Sequence, residues 1–298
     1  MKGSRPELLR PEDLRRIADL GLVARWIVEG TLTGLHRSPY HGFSVEFAEY
    51  REYAKGDDLR HFDWKVYGRS DRRCIRKYHS ETNLACHIVL DASASMGYGD
   101  PTKFHYARCL AAAIAYLLEG QKDAFGLVLA DEGIRERIPP AVGPSHLRRV
   151  HAALEAARPS SGTRIAAALH ELAEGIERRG LAVLLSDLYG DEREIAEAIR
   201  HLRFEGHEVI AFHVLDPSEL DLPFEGASEF EDLETGESVR LYPPAIREEY
   251  ARRVAEWIDE LRRACESCRA DFRTTLTSEP FAAALAEYLH RRRLRREL

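Results

Sequence analysis

The chain has 298 residues, 44% of them hydrophobic and 31% charged, which is enough apolar material for one large domain or two small ones. Its formal net charge of −7 disfavours nonspecific binding to nucleic acid, itself a polyanion. No apolar run reaches the roughly 18–20 residues of a membrane span. The longest candidate, Cys109 to Leu118, is bounded by Arg108 and Glu119. The opening MKGSRPELLRPEDLRR lacks an apolar signal core, and five cysteines scattered through the chain do not form a disulfide framework. The expected setting is a reducing cytoplasm. The charge is uneven: residues 1–83 carry 16 Lys and Arg against 13 Asp and Glu, and the remainder 27 against 37.

In chain order, residues 11 to about 30 place Leu14, Ile17, Leu20, Leu22, Val23, Trp26 and Ile27 near helical spacing, with Pro11 at the entry. From Arg37 to Asn83, Gly, Pro, Tyr and Phe are interleaved with dense charge and no long period emerges. Short strands and tight turns are expected there, one of them at Lys55-Gly56-Asp57-Asp58. An apolar run, Ile88 to Leu90, then ends on Asp91, and regular alternation begins. The pattern predicts a helix from about Lys103 to Gly120, a strand from Phe125 to Ala130 and a charged hairpin around Asp131-Glu132-Gly133. Helices over 145–157 and 164–179 precede a strand from Leu181 to Leu185, which ends in Ser186-Asp187. A helix over 191–203 and a strand from Val209 to Leu215 follow. A hairpin near 228–242, a helix over 244–264, a strand over 271–276 and a helix over 279–293 close the chain. Strands alternating with helices of ten or more residues imply crossover units and a mostly parallel sheet. The expected fold class is therefore α/β and Rossmann-like, in two parts: an N-terminal helix with a β-rich block over residues 1–83, and an α/β domain over 84–298.

The chemistry concentrates in Asp91-x-Ser93-x-Ser95. In a buried parallel strand the aspartate sits at the C-terminal tip, where open α/β sheets place their ligand sites. One carboxylate and two hydroxyls leaving a strand together form a hard, all-oxygen half-shell suited to Mg²⁺ or Mn²⁺. Two later residues lie where they can complete it. Thr163 falls just before a predicted helix and Asp187 just after a predicted strand, and strand ends on one edge of a parallel sheet lie close together. The same residue types also serve as caps and turn formers.

Asp91-x-Ser93-x-Ser95, then Thr163, then Asp187 resembles the metal-ion-dependent adhesion site (MIDAS) of von Willebrand factor A-type (vWA) domains. In that family such residues hold a metal directly or through water, and a free coordination position accepts a carboxylate from a protein partner. Upstream, His36, Gly42-x-Ser44-x-Glu46-Phe47, Arg51-x-Tyr53, Gly56-Asp57-Asp58-x-Arg60, Asp63-Trp64 and Arg69 resemble the bacterial DUF58 family, which carries this block directly before a vWA-like domain. The resemblance covers about residues 30 to 220. It implies association with MoxR-type AAA+ ATPases and supplies no activity. Many relatives carry N-terminal membrane helices, which this sequence lacks.

Other features have plainer readings. The basic and aromatic residues from 51 to 78 can clamp nucleic acid. They can equally pair internally with Glu46, Asp57, Asp58 and Asp63, which suits the acidic remainder better. Cys265 and Cys268 sit on one face of a predicted helix without further zinc ligands and are expected to be spectator thiols. Arg291 to Arg296 favour the negative pole of a helix end. An enzyme alternative is a Mg²⁺-dependent phosphatase in which Asp91 attacks phosphorus and Asp187 and Asp191 help hold the metal. Position 93 is then Ser where that chemistry needs a second carboxylate. The expected function is a non-enzymatic, metal-dependent protein-binding module.

Overall fold

The computed structural model describes residues 11, 19–36, 50–52, 67–68, 74–76, 85–160, 162 and 164–296. The chain divides into two compact units, Leu35–Asn83 and the remainder, Met1–Gly34 with Leu84–Leu298. In the smaller unit, strand β1 (Tyr50–Glu52) pairs antiparallel with β2 (Cys74–Arg76), Tyr50 opposite Arg76. The turn at Lys55–Asp58 and the arginine–carboxylate pairs expected in this block lie outside the described residues.

The larger unit is built on a six-stranded sheet of β3 (Ala85–Asp91), β4 (Phe125–Ala130), β5 (Ile134–Ala141), β6 (Gly180–Ser186), β7 (Glu208–Leu215) and β10 (Asp271–Leu276), while β8 (Ser228–Glu231) and β9 (Ser238–Leu241) form the separate antiparallel hairpin expected near 228–242. Its order is β10-β7-β6-β3-β4-β5, parallel throughout except for β5, which returns antiparallel along β4. The α/β class with a mostly parallel sheet is thus the one the sequence alternation predicts. The apolar runs of β3, β4 and β6 form strands because both of their faces are covered; every residue of β4 and β6 is buried. Among the described residues, no helix is long and apolar enough to cross a membrane.

Alternation along the strands assigns the two faces. Val89, Val128, Ala182, Leu184, Val209 and Ala211 pack against Ile165, Leu169 and Leu172 of helix Ile165–Gly175 and Ile195, Ile199 and Leu202 of helix Glu192–Phe204. Leu261 and Cys265 of helix Pro243–Ser267 complete that cluster. The opposite face meets helix Lys103–Gly120, whose Ala111, Ala112, Ala113 and Ala115 are fully buried. Small side chains let this helix lie close to the sheet while helices Pro144–Ala156 and Phe281–Arg296 pack over it. Tyr106 stacks on Phe281 there, centroids 4.6 Å apart.

Of the helix expected over residues 11–30, residues 12–18 lie outside the described ones; the described helix is Leu20–His36 and passes beyond Gly30. Gly30 does not end it, and the Thr31 hydroxyl beyond it, buried, is satisfied within the helix by donating to the Ile27 carbonyl at 2.7 Å. Leu20, Val23, Ala24, Ile27 and Val28 form its buried stripe. Its first turn is tied to the rest of the unit where the Leu20 N–H donates to Glu155 (3.0 Å).

The strand order reverses at β3. The chain leaves β3 to build β4 and β5 on one side, then crosses back to build β6 and β7 on the other. In open α/β sheets the crevice beyond the strand tips at such a reversal is where ligands bind. The tips flanking this reversal carry Asp91, on β3, and Ser186-Asp187, ending and following β6.

Candidate metal centre

Asp91 is the last residue of β3, 1% exposed, opposite Ala130 of β4. Both of its oxygens are engaged. Oδ1 accepts the Ser93 backbone N–H (2.9 Å) and Oδ2 accepts the Ser186 hydroxyl (2.5 Å). A single 3₁₀ turn, Ala94–Gly97, then folds the chain back. Met96, fully buried, anchors that turn, and its N–H donates to the Ser93 carbonyl (3.2 Å). The turn sets Ser93 Oγ and Ser95 Oγ 3.1 Å apart, with Ser93 buried and Ser95 partly exposed. Adjacent oxygens of an octahedral Mg²⁺ shell, each about 2.1 Å from the ion, lie about 3.0 Å apart. The two hydroxyls beside one carboxylate therefore fit a small hard cation. Among the described residues no group of three or more His, Cys, Asp and Glu is arranged to hold a metal, so the hydroxyls are indispensable to such a site.

Thr163 lies outside the described residues, but both flanks of its loop are fixed. The Ser160 N–H donates to the Ala92 carbonyl (2.8 Å) and its hydroxyl to Asp131 (2.8 Å), while the Arg164 N–H donates to the Asp131 carbonyl (3.0 Å). Ser160 also bridges Ser93 as a parallel neighbour. This loop is docked on the segment that carries the serines.

Asp187 follows directly on Ser186, whose hydroxyl bonds Asp91, and it is fully buried. Its Oδ2 accepts the ammonium of Lys103 (2.7 Å), and the same ammonium donates to Glu219 Oε1 (2.7 Å). The Lys103 and Asp187 side chains are 0% exposed and that of Glu219 11%. The Tyr189 ring lies 4.9 Å from the ammonium. Glu219 is itself held: its Oε2 accepts the Asp216 N–H (2.7 Å). Burial alone lowers the pKa of an ammonium, but Asp187 and Glu219 more than offset this and raise Lys103 above its ordinary value. Burial, then the charge of Asp187, pushes Asp91 up to about 7.

Sequence reasoning named Asp91, Ser93, Ser95 and Asp187 and missed Lys103, Glu219 and the part played by the Ser186 hydroxyl. A signal for Lys103 was present: it is a cation in the first turn of a helix that is otherwise largely apolar, at the pole where the helix dipole disfavours positive charge. Asp191, the second acid of the phosphatase alternative, caps helix Glu192–Phe204, its Oδ1 accepting the N–H groups of Arg193 (2.8 Å) and Glu194 (3.3 Å). Cys265 sits in the core cluster, and burial pushes its thiol up to about 12, as befits an inert residue.

Two buried histidines of the sheet, His87 in β3 and His213 in β7, are expected to make stability pH-dependent. Burial lowers His87 and His213 to about 4 each. Unfolded, they take up a proton near 6.5, so their contribution is present above that pH and is lost as pH falls toward 4; Asp91, raised, has the opposite sign over 4 to 7. Urea unfolding of His87→Asn is expected to show a flatter acid limb than wild type between pH 6.5 and 4, by up to about 1.4 kcal/mol per pH unit. Equal slopes would show that folding leaves the His87 pKa unshifted.

A cleft of about 220 Å³ opens between Arg164, Ile165, Tyr189, Asp191 and Ile195, so Tyr189 forms a wall both of the cleft and over Lys103. Residues 49–259 match the family model described as "Protein of unknown function DUF58". The chain is 30% identical to the uncharacterized proteins Rv1480 of Mycobacterium tuberculosis and Mb1516 of Mycobacterium bovis, in each case over 97% of its own length and 94% of theirs. Among solved structures it is similar to the conserved hypothetical protein BatB from Bacteroides thetaiotaomicron, at 18% identity and a TM-score of 0.47, covering 70% of this chain and 98% of that one. It is also similar to the SpRpn10 VWA domain, at 13% identity and a TM-score of 0.42, covering 68% and 94%.

Proposed function

The chain belongs to the DUF58 family of proteins of unknown function, and from that membership and the site at Asp91 we propose that it is a non-enzymatic, divalent-metal-dependent protein-binding module. The reading rests on one observation above all: at the reversal point of the sheet, Asp91 and the hydroxyls of Ser93 and Ser95 converge, with the two hydroxyls at the spacing of neighbouring Mg²⁺ ligands. Asp91, Ser93 and Ser95 hold Mg²⁺ or Mn²⁺, with Thr163 and Asp187 completing the set. When bound, the cation supplies the positive charge that an incoming carboxylate requires.

The chain's own residues do the rest. Ser186 and the Ser93 N–H orient the Asp91 carboxylate, and Met96 keeps the turn that presents Ser95 to solvent. The neighbouring cleft walled by Arg164 and Tyr189 receives side chains adjoining the captured Asp or Glu. The partner is a MoxR-type AAA+ ATPase or its client in the cytoplasm, and the protein acts as its adaptor. Capture of the cognate ATPase on immobilised full-length chain is expected in Mg²⁺ and to be lost in EDTA and in Asp91→Ala. Capture that survives both treatments removes the metal bridge from the account.

A further inference from the structure

Lys103 stands beside the proposed metal site, where an ammonium competes with a cation for the same negative charge. It is wholly buried, it begins a helix whose dipole opposes it, and it reaches both Asp187 and Glu219 at 2.7 Å. Such a charge persists only because it is paired: an isolated buried ammonium is too costly. The reverse is equally true. Asp187, also fully buried, has its Oδ2 satisfied by Lys103, and among the described residues its Oδ1 receives a long contact from the Tyr189 N–H (3.4 Å). A metal on Asp187 would share that carboxylate with the Lys103 ammonium, so the two cations repel each other across it.

We infer that Lys103 is a built-in counter-cation that competes with the divalent ion for the charge of Asp187, a positioning residue that weakens metal binding. This rests on the metal-site reading above and adds to it the device that sets affinity. Its consequence for charge is direct. With Asp91, Asp187 and Glu219 ionised, Lys103 and a divalent ion bring the cluster to neutrality, whereas without the lysine one negative charge remains and repels an incoming carboxylate. The lysine therefore trades metal affinity for affinity toward an anionic partner. It also links the metal site to the segment after β7. Glu219 bonds the Asp216 N–H through Oε2, and its carbonyl accepts the Tyr250 hydroxyl (2.9 Å) on helix Pro243–Ser267, so a shift of Lys103 is felt there.

The test compares Mn²⁺ affinity, by electron paramagnetic resonance titration with MnCl₂, of wild type, Glu219→Gln and the double variant Lys103→Met/Glu219→Gln. The double variant removes one charge of each sign and releases Asp187. It is expected to bind Mn²⁺ at least tenfold more tightly than wild type, while Glu219→Gln, which keeps the ammonium on Asp187, binds no more tightly. A parallel readout is the rise in melting temperature on adding MnCl₂, which is expected to be larger in the double variant because a ligand stabilises by its affinity for the folded form. This readout also serves if the variant is loosely folded without metal. Double-variant binding within twofold of wild type overturns the inference and leaves the metal site standing, as does a double variant that excess Mn²⁺ does not stabilise. Mn²⁺ binding by the double variant alone overturns the metal-dependent function of the wild type on which the inference rests. No Mn²⁺ binding by any of the three proteins removes both readings.

Discussion

Lys103→Met is expected to destabilise the folded protein by about 3–5 kcal/mol in metal-free buffer, the usual cost of deleting one partner of a buried ion pair. The magnitude follows from what is left behind. Asp187 is fully buried and the Glu219 side chain 11% exposed, so neither recovers water when the ammonium goes. Methionine fills much of the lysine stem's volume, so the loss reads as electrostatic more than as cavity formation. Urea unfolding with EDTA present measures it, and Lys103→Met/Glu219→Gln is expected to recover part of the loss by removing one of the two stranded charges. The contrast is Arg252 on helix Pro243–Ser267. It pairs with Glu249 and Glu256 while its side chain is 57% exposed, and its replacement is expected to be near-neutral. A loss below about 1 kcal/mol for Lys103→Met would mean that the triad at the sheet tip is not a structural pair.

The second large effect concerns the hydroxyls. Ser93→Ala/Ser95→Ala is expected to lower Mg²⁺ or Mn²⁺ affinity by tenfold or more and to abolish metal-dependent partner capture, with little change in fold. The fold is spared for a specific reason: although the Ser93 hydroxyl's own bond to Asp91 is lost, the backbone N–H of residue 93, which alanine keeps, still orients the carboxylate (2.9 Å). Neither serine caps the 3₁₀ turn with its side chain, since Ser93 makes no side-chain cap bond there. Circular dichroism together with a calorimetric metal titration separates the two readouts. Undiminished metal binding in the double alanine variant would place the cation elsewhere.

How much of this was legible in the sequence differs from residue to residue. Helix Lys103–Gly120 and strand β4 fall at the predicted boundaries, because a long apolar helical run and a short fully buried strand are the least ambiguous patterns. The tip position of Asp91 was legible for the same reason, as the polar residue that ends a buried run. Lys103 and Glu219 were not. They stand 116 positions apart in the chain, and their pairing arises only because the turn after β3 and the segment after β7 meet across the sheet end. No local period encodes that meeting. The Ser186 hydroxyl is a similar case: the sequence marks it as a strand end, while its bond to Asp91 depends on the pairing of Leu90 with Leu185 that fixes the register of β3 against β6. The N-terminal helix extends beyond Gly30, since a glycine within a helical run weakens the helix without having to end it.

The most direct measurement is a calorimetric titration of the intact chain with MgCl₂, set beside Asp91→Asn, which keeps the shape of the carboxylate and removes its charge. One saturable site in the wild type, absent or at least tenfold weaker in Asp91→Asn, is the predicted result. A wild-type chain that takes up no Mg²⁺, or a variant that takes it up equally well, contradicts a cation held at the tip of β3.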